Sequence, residues 1–208
     1  MIDAMASEPL NPDRKGRRLT AKPNEDLDER QEADLVQDAM GGDVDSFVAL
    51  CRRYYPSLVA IARAVLGDGH LAEDAAQETL AKACRRLDGL KNPGRFGAWL
   101  ATICRNEARD IVRRRPTVES LDVASLNGRD VPAATPGRDA ESEFDVDAVR
   151  RALDAMPSAA RELLYLRYRN QLSYDAIAAL LAVSVEAVHG RLRRAKQDLK
   201  AHLERQRI

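Results

Sequence analysis

Gln171 to Leu199, QLSYDAIAALLAVSVEAVHGRLRRAKQDL, holds side chains suited to touching nucleic acid. It reads as two short helices joined by a tight turn, the second running into a basic end. Ser173 and Ser184 stand where a side-chain oxygen can accept from the unpaired amides of a helix start. Ile177, Ala178 and Leu181 form the apolar face of the first helix. Val188, Leu192, Ala195 and Leu199 recur at helical spacing in the second, with Ala182 and Val183 between. Glu186 suits the dipole at the start of the second helix. The pattern is that of a helix-turn-helix, whose second helix enters a DNA major groove. A helical hairpin with no DNA role fits the same spacing less well.

Two further clusters lie upstream. In LAEDAAQETLAKACRR (71–86), Asp74, Gln77 and Glu78 are three and four residues apart and share one helical face. Leu71, Ala75, Leu80 and Cys84 are left to pack elsewhere. By spacing alone, a solvated face fits better than a docking surface. In Leu87–Arg115 a Gly/Pro loop, LDGLKNPGR, leads into an arginine-rich helix. Arg105, Arg109, Arg113, Arg114 and Arg115 suit phosphates, which guanidinium groups bind through paired charge-assisted hydrogen bonds. Asn106 carries a short amide able to read a base edge. A basic helix end complementing its own dipole explains Arg113 to Arg115 well, but Arg105 and Asn106 less well.

Helices must hold these residues. The low aromatic content, 4%, and abundant Ala, Leu and Arg favour helix over sheet. A helix is expected over 32–40, stopped by Gly41-Gly42. A second starts near Asp45 with Phe47, Leu50 and Cys51 and reaches Leu66, continuing or restarting after Pro56. A third covers 71–87. A fourth covers 95–115, with Phe96, Trp99, Leu100, Ile103 and Ile111 mostly on one face, so Phe96 and Trp99 read as core. Val149 to Met156 and Pro157 follow the break over 116–147, and a helix over 158–168 precedes the helix-turn-helix. Residues 1–31 are polar, with Pro9, Pro12 and Pro23, and read as a flexible tail. Residues 116–147, with Pro132, Pro136, Gly128 and Gly137, read as a flexible linker. The expected fold is all-α: two small helical domains, 32–115 and 148–208, joined by that linker.

The net charge of zero conceals an uneven distribution: about +2 over 34–115, −6 over 116–147 and +6 over 148–208. A basic C-terminal domain thus adjoins an acidic connector, which can keep the two domains apart and compete weakly with DNA. Cys51, Cys84 and Cys104 are scattered without ligand spacing and read as small buried thiols. His70, His189 and His202 are equally scattered. No catalytic triad, phosphate-cradling loop or metal motif is visible, so neither an enzyme nor a cofactor is expected. No run of eighteen apolar residues suggests a membrane span, and the first residues lack a signal-peptide core. A cytoplasmic protein is expected.

Together the clusters resemble the extracytoplasmic-function sigma factors, compact members of the bacterial housekeeping-sigma superfamily. DAAQETL at Asp74–Leu80 resembles the core-polymerase-binding helix of region 2. FGAWLATICRNEARDIVRRR at Phe96–Arg115 resembles the helix engaging the −10 promoter element. MPSAARELLYLRYRNQLSYDAIAALL at Met156–Leu181 and VSVEAVHGRLRRAKQDL at Val183–Leu199 resemble region 4, the second being its −35-reading helix. Two departures stand out. Leu80 occupies a position where many relatives carry Phe or Tyr, and His189-Gly190 occupies one where they carry a Lys/Arg–Ser pair.

The resemblance implies a non-catalytic specificity subunit that brings RNA polymerase to promoters and helps open them. Asp74, Gln77, Glu78 and Leu80 would bind the polymerase core. Lys91, Asn92, Arg105, Asn106, Arg109 and Arg113 would face the −10 element, with the loop Leu87–Arg95 near the non-template strand. Ser184, Glu186, Ala187, His189, Gly190, Arg191, Arg193 and Arg194 would face the −35 element. Arg191 and Arg194 suit phosphate there, and the others suit base edges. Implied partners are bacterial RNA polymerase core, promoter DNA and an anti-sigma factor, without membrane insertion or obligate homo-oligomer. A stand-alone helix-turn-helix regulator would not need the Asp74–Leu80 block. A sigma mimic that sequesters an anti-sigma factor usually adds a receiver domain, and none is visible.

Overall fold

The computed structural model describes residues 29–114 and 146–205. Their α-helices are α1 (Glu29–Met40), α2 (Val44–Leu66), α3 (Gly69–Arg86), α4 (Phe96–Arg114), α5 (Val146–Asp154), α6 (Ser158–Leu164), α7 (Tyr174–Leu181) and α8 (Val185–Arg205). Short 3₁₀ turns at Leu87–Gly89 and Pro93–Arg95 precede α4, and a π-helical stretch, Tyr165–Arg169, follows α6. There is no strand among the described residues. The expected tail and linker lie outside them, except where α1 begins at Glu29 and α5 at Val146.

Local chemistry sets the ends of the first helices. The Asp43 carboxylate accepts from the Asp45 amide at 3.2 Å and starts α2. Gly67, at φ +70°, ends it with the left-handed turn that glycine adopts without steric cost. Pro56 does not break α2. The ring removes one backbone hydrogen bond, while Leu58, Ile61, Ala62 and Ala64 just beyond it are fully buried and hold the helix in place. The Asp68 carboxylate starts α3 by accepting from the Leu71 amide at 3.0 Å.

The first helical layer is α1–α4. α3 buries a stripe of small residues, Ala72, Ala75, Ala76, Thr79 and Ala83, and packs on α2 and α4. Short side chains there let the helix axes approach closely. The Thr79 hydroxyl donates to the Ala75 carbonyl at 2.7 Å, so its burial leaves no unpaired group. Phe96 packs edge-on against Tyr54, with ring centroids 5.5 Å apart at 70°. Gly97 is demanded by this contact: a Cβ there would lie 2.7 Å from the Tyr54 hydroxyl. That hydroxyl donates to Glu32 of α1 at 2.5 Å. Burial, then the Glu32 charge, raises the Tyr54 pKa above the usual range.

The expected helix over 158–168 changes type midway, from α in α6 to π at Tyr165. The π stretch closes with the Asn170 amide donating to the Tyr165 carbonyl at 3.0 Å. Ala182 takes the left-handed conformation, φ +53°, in the turn between α7 and α8. A glycine would sit there without the strain of roughly 1 kcal/mol that a Cβ brings.

Two expectations need correction. The thiols are not all buried: Cys104 is, but Cys51 is half-buried and Cys84 exposed, on the part of α3 turned away from its alanine stripe. Nor are the two helical domains held apart. α2 packs on α6 and the π stretch, α4 packs on α7, and buried side chains of both domains form one continuous apolar core. Leu163, Leu164 and Leu166 show why, being at most 5% exposed. Burying such a side chain contributes about 1.5–3 kcal/mol.

Candidate nucleic-acid interface

The acidic face of α3 is open. Asp74, Gln77 and Glu78 are exposed and Leu80 is half-buried. Glu78 accepts from Arg85 at 3.1 Å, an exposed pair that water screens. Nothing else in the described chain covers this face, so the carboxylates remain available to an external cation or amide.

The loop before α4 is shaped by Asn92, whose side-chain oxygen accepts from the Gly94 amide at 3.1 Å. Lys91 and Asn92 are exposed, as are Asn106, Arg109, Arg113 and Arg114 along α4. Arg113 pairs with Asp110 one turn back. Arg115 lies outside the described residues. Arg105 behaves differently from its neighbours. Its Nη2 donates to Oε1 of Glu162 of α6 at 2.7 Å and its Nε to Oε2 at 3.3 Å, the two-pronged geometry that guanidinium makes with carboxylate, with Nε also 3.1 Å from Oε1. The side chains are only 22% and 10% exposed. In this arrangement Arg105 is engaged across the two domains. Glu107 on the same helix is buried and paired with Lys82 of α3, which anchors α4 on its inner side.

The helix-turn-helix is built as its spacing suggests. The Ser173 hydroxyl accepts from the Ala176 amide at 3.1 Å, and the Ser184 hydroxyl from the Ala187 amide at 3.2 Å. Val188, Leu192 and Ala195 are buried. Glu186, His189, Arg191, Arg193 and Arg194 are exposed with Ser184, while Ala187 and Gly190 are half-buried. Glu186 has its pKa lowered, first by its own backbone amide and then by the Ser184 hydroxyl. Tyr174, Glu186, His189, Gly190, Arg193 and Lys196 border an open hollow of about 670 Å³ on this face. A basic helix surface with exposed donors and a hollow between them can meet both phosphates and base edges.

Sequence reasoning missed the aromatic support of this surface. Tyr174, the first residue of α7, stacks on His189 of α8 with centroids 4.0 Å apart and planes 9° from parallel. The Arg167 guanidinium lies over the same Tyr174 ring at 4.7 Å and donates to the Leu172 carbonyl at 2.6 Å. The available signal was the aromatic directly after the Ser173 cap, three and four residues before Ile177 and Ala178. Glu162 was missed too, because no local pattern pairs it with a residue 57 positions away.

Comparison with known proteins agrees with this geometry. The family Sigma-70 region 2 matches residues 50–116, and Sigma-70, region 4 matches residues 147–199. The chain is 36% identical over 149 residues to the ECF RNA polymerase sigma factor EcfG of Rhodopseudomonas palustris, covering 71% of this chain and 80% of that one. It is 34% identical over 186 residues to the probable RNA polymerase sigma factor RfaY of Xanthomonas campestris pv. campestris; that match covers 82% of this chain and 46% of the relative's length. Among solved structures, that of CnrH in complex with the cytosolic domain of CnrY is similar, with TM-score 0.57 and 28% identity, covering 85% of this chain and 98% of that one.

Proposed function

The chain belongs to the extracytoplasmic-function RNA polymerase sigma factors, which are promoter-specificity subunits and not enzymes, and from that premise we propose how its surfaces divide the work. Residues 32–115 act as region 2 and 148–208 as region 4, with 1–31 and 116–147 as the tail and connector. The α3 face of Asp74, Gln77, Glu78 and Leu80 docks on the polymerase core. Lys91, Asn92, Arg105, Asn106, Arg109 and Arg113 engage the −10 element. The loop Leu87–Arg95 holds an extruded base, whose capture shifts DNA toward the open form. Ser184, Glu186, Ala187, His189, Gly190, Arg191, Arg193 and Arg194 engage the −35 element. The partners are core polymerase, promoter DNA and an anti-sigma factor. The similar CnrH was solved in complex with the cytosolic domain of CnrY, which supports a protein partner besides polymerase. The work is done in the cytoplasm; no described helix is long and apolar enough to cross a membrane.

The observation that carries this reading is that the two Sigma-70 matches fall on one open acidic helix face and two exposed basic ones. Run-off transcription with bacterial core polymerase and genomic promoter fragments tests it. Transcripts starting at defined sites only when the chain is present support it. Neither transcripts nor co-elution with core overturns it in favour of a stand-alone regulator or a sigma mimic.

The paired state of Arg105 supports a second element of the reading: the isolated chain binds promoter DNA poorly and core polymerase promotes the open form. Separating the domains uncovers apolar surface and breaks a half-buried ion pair, so DNA must compete with both. Tight binding of the full chain to promoter duplex at moderate salt would overturn it.

A further inference from the structure

We propose that Tyr174 is a positioning residue for −35 reading, holding the His189 imidazole flat so that its edge, beside the bare backbone of Gly190, meets a purine N7 in the major groove. This deepens the reading above and rests on it, since it requires α8 to lie in that groove. His189 is exposed one turn into α8, where a free side chain would sample several rotamers and lose that freedom on binding. The stack at 4.0 Å and 9° removes much of that freedom beforehand. Tyr174 is itself held, with Arg167 over its ring at 4.7 Å and Arg167 tied to the Leu172 carbonyl at 2.6 Å. The chain of contacts runs from the π stretch through α7 to the reading face of α8.

Gly190 has no explanation among the described residues. A Cβ there would meet nothing within 4 Å, and its backbone is ordinary helix. Glycine at such a place weakens a helix relative to alanine. The missing side chain instead deepens the hollow bordered by Tyr174, His189 and Arg193, which leaves room for a base edge. A ring N–H offers a single donor. Both purines expose an N7 acceptor in the major groove where cytosine presents C5–H and thymine its C5-methyl, so a donor held at that place, away from thymine O4, reads purine against pyrimidine.

The test uses full-length chain with bacterial core polymerase and templates randomised across the −35 element, with the transcripts sequenced. Wild type is expected to favour purine at one position by about 10-fold, the scale of one direct base contact. H189A is expected to abolish that preference while preferences elsewhere persist. Y174L is expected to flatten the same position, and Y174F, which keeps the ring, to retain the preference. G190V is expected to lower transcription from the best template about 10-fold. In the free chain, the His189 ring protons are expected upfield-shifted in wild type and Y174F but not in Y174L. Purine preference surviving in H189A or in Y174L overturns the inference while leaving the sigma reading intact. Absence of promoter-dependent transcripts with wild type overturns the sigma reading, and this inference with it.

Discussion

α3 and α4 lie side by side in one helical layer and both carry charged outer residues, yet one face is open and the other partly occupied. On α3, Asp74, Gln77 and Glu78 meet only solvent and a screened Arg85. On α4, Asn106 and Arg109 are exposed while Arg105, between the same two ends, is clasped by Glu162 of the other domain. The difference lies in what each helix is packed against: among the described residues α3 packs mainly on α2, α4 and the following turn, whereas α4 also meets α7. A surface proposed to receive the polymerase is therefore ready in the closed chain, and one proposed to receive DNA is not entirely so. The order of events proposed above rests on that inequality: polymerase first, DNA after opening.

The sharpest way to break this contrast is through the thiols. Cys84 sits exposed on α3, and Cys104 is buried in α4 with its Sγ donating to the Leu58 carbonyl at 3.3 Å. Burial pushes the Cys104 pKa up to about 12. Because the thiolate is the nucleophile and Cys84 is exposed while Cys104 is buried, Cys84 is expected to alkylate at neutral pH far faster than Cys104. Mass spectrometry of a labelling time course checks this, and equal rates would mean that Cys104 is not sealed between α4 and α2. The same shift sets an alkaline limit. The raised folded pKa contributes stability that is complete below about 9, the thiol's ordinary value, and is lost as pH rises toward about 12. Denaturation midpoints across that window are expected to fall in wild type and to fall less in C104A.

Charge reversal sharpens the open side. Asp74→Lys with Glu78→Lys is expected to weaken binding to core polymerase about 100-fold, since like charges meeting across an interface cost several kcal/mol. Circular dichroism should stay unchanged, because both residues are exposed. Core affinity within twofold of wild type would remove this face from the docking surface.

On the covered side, Glu162→Gln removes the anion but keeps the shape. The isolated chain is expected to gain about 10-fold in affinity for a promoter duplex while losing about 2 kcal/mol of stability, less than for a fully buried pair because Arg105 keeps some exposure. Fluorescence anisotropy and chemical denaturation read the two effects. No change in either would mean that Arg105–Glu162 does not hold the domains together. The smallest expected effect is on α8. Arg194→Ala should weaken binding alike on all sequences and reduce the salt slope by about 0.9, the signature of one lost phosphate contact. An unchanged slope in a salt titration removes Arg194 from that set.

The local features were legible because they are written in short-range chemistry. Ser173 and Ser184 read as helix starts, Gly41-Gly42 as a stop, and Val188, Leu192 and Ala195 as a buried stripe, since capping and periodicity depend only on residues a turn apart. The motif blocks likewise pointed to the family that the comparisons show. What the sequence could not disclose was every relation spanning long separations. The clasp of Arg105 by Glu162, the stack of Tyr174 on His189, the shared core of the two domains and the exposure of Cys84 all depend on how helices settle against one another. Composition determined that two amphipathic helical domains would form, because their apolar stripes must leave water. Only the packed structure decided that each would bury part of its stripe against the other, because the free energy of that contact belongs to neither segment alone.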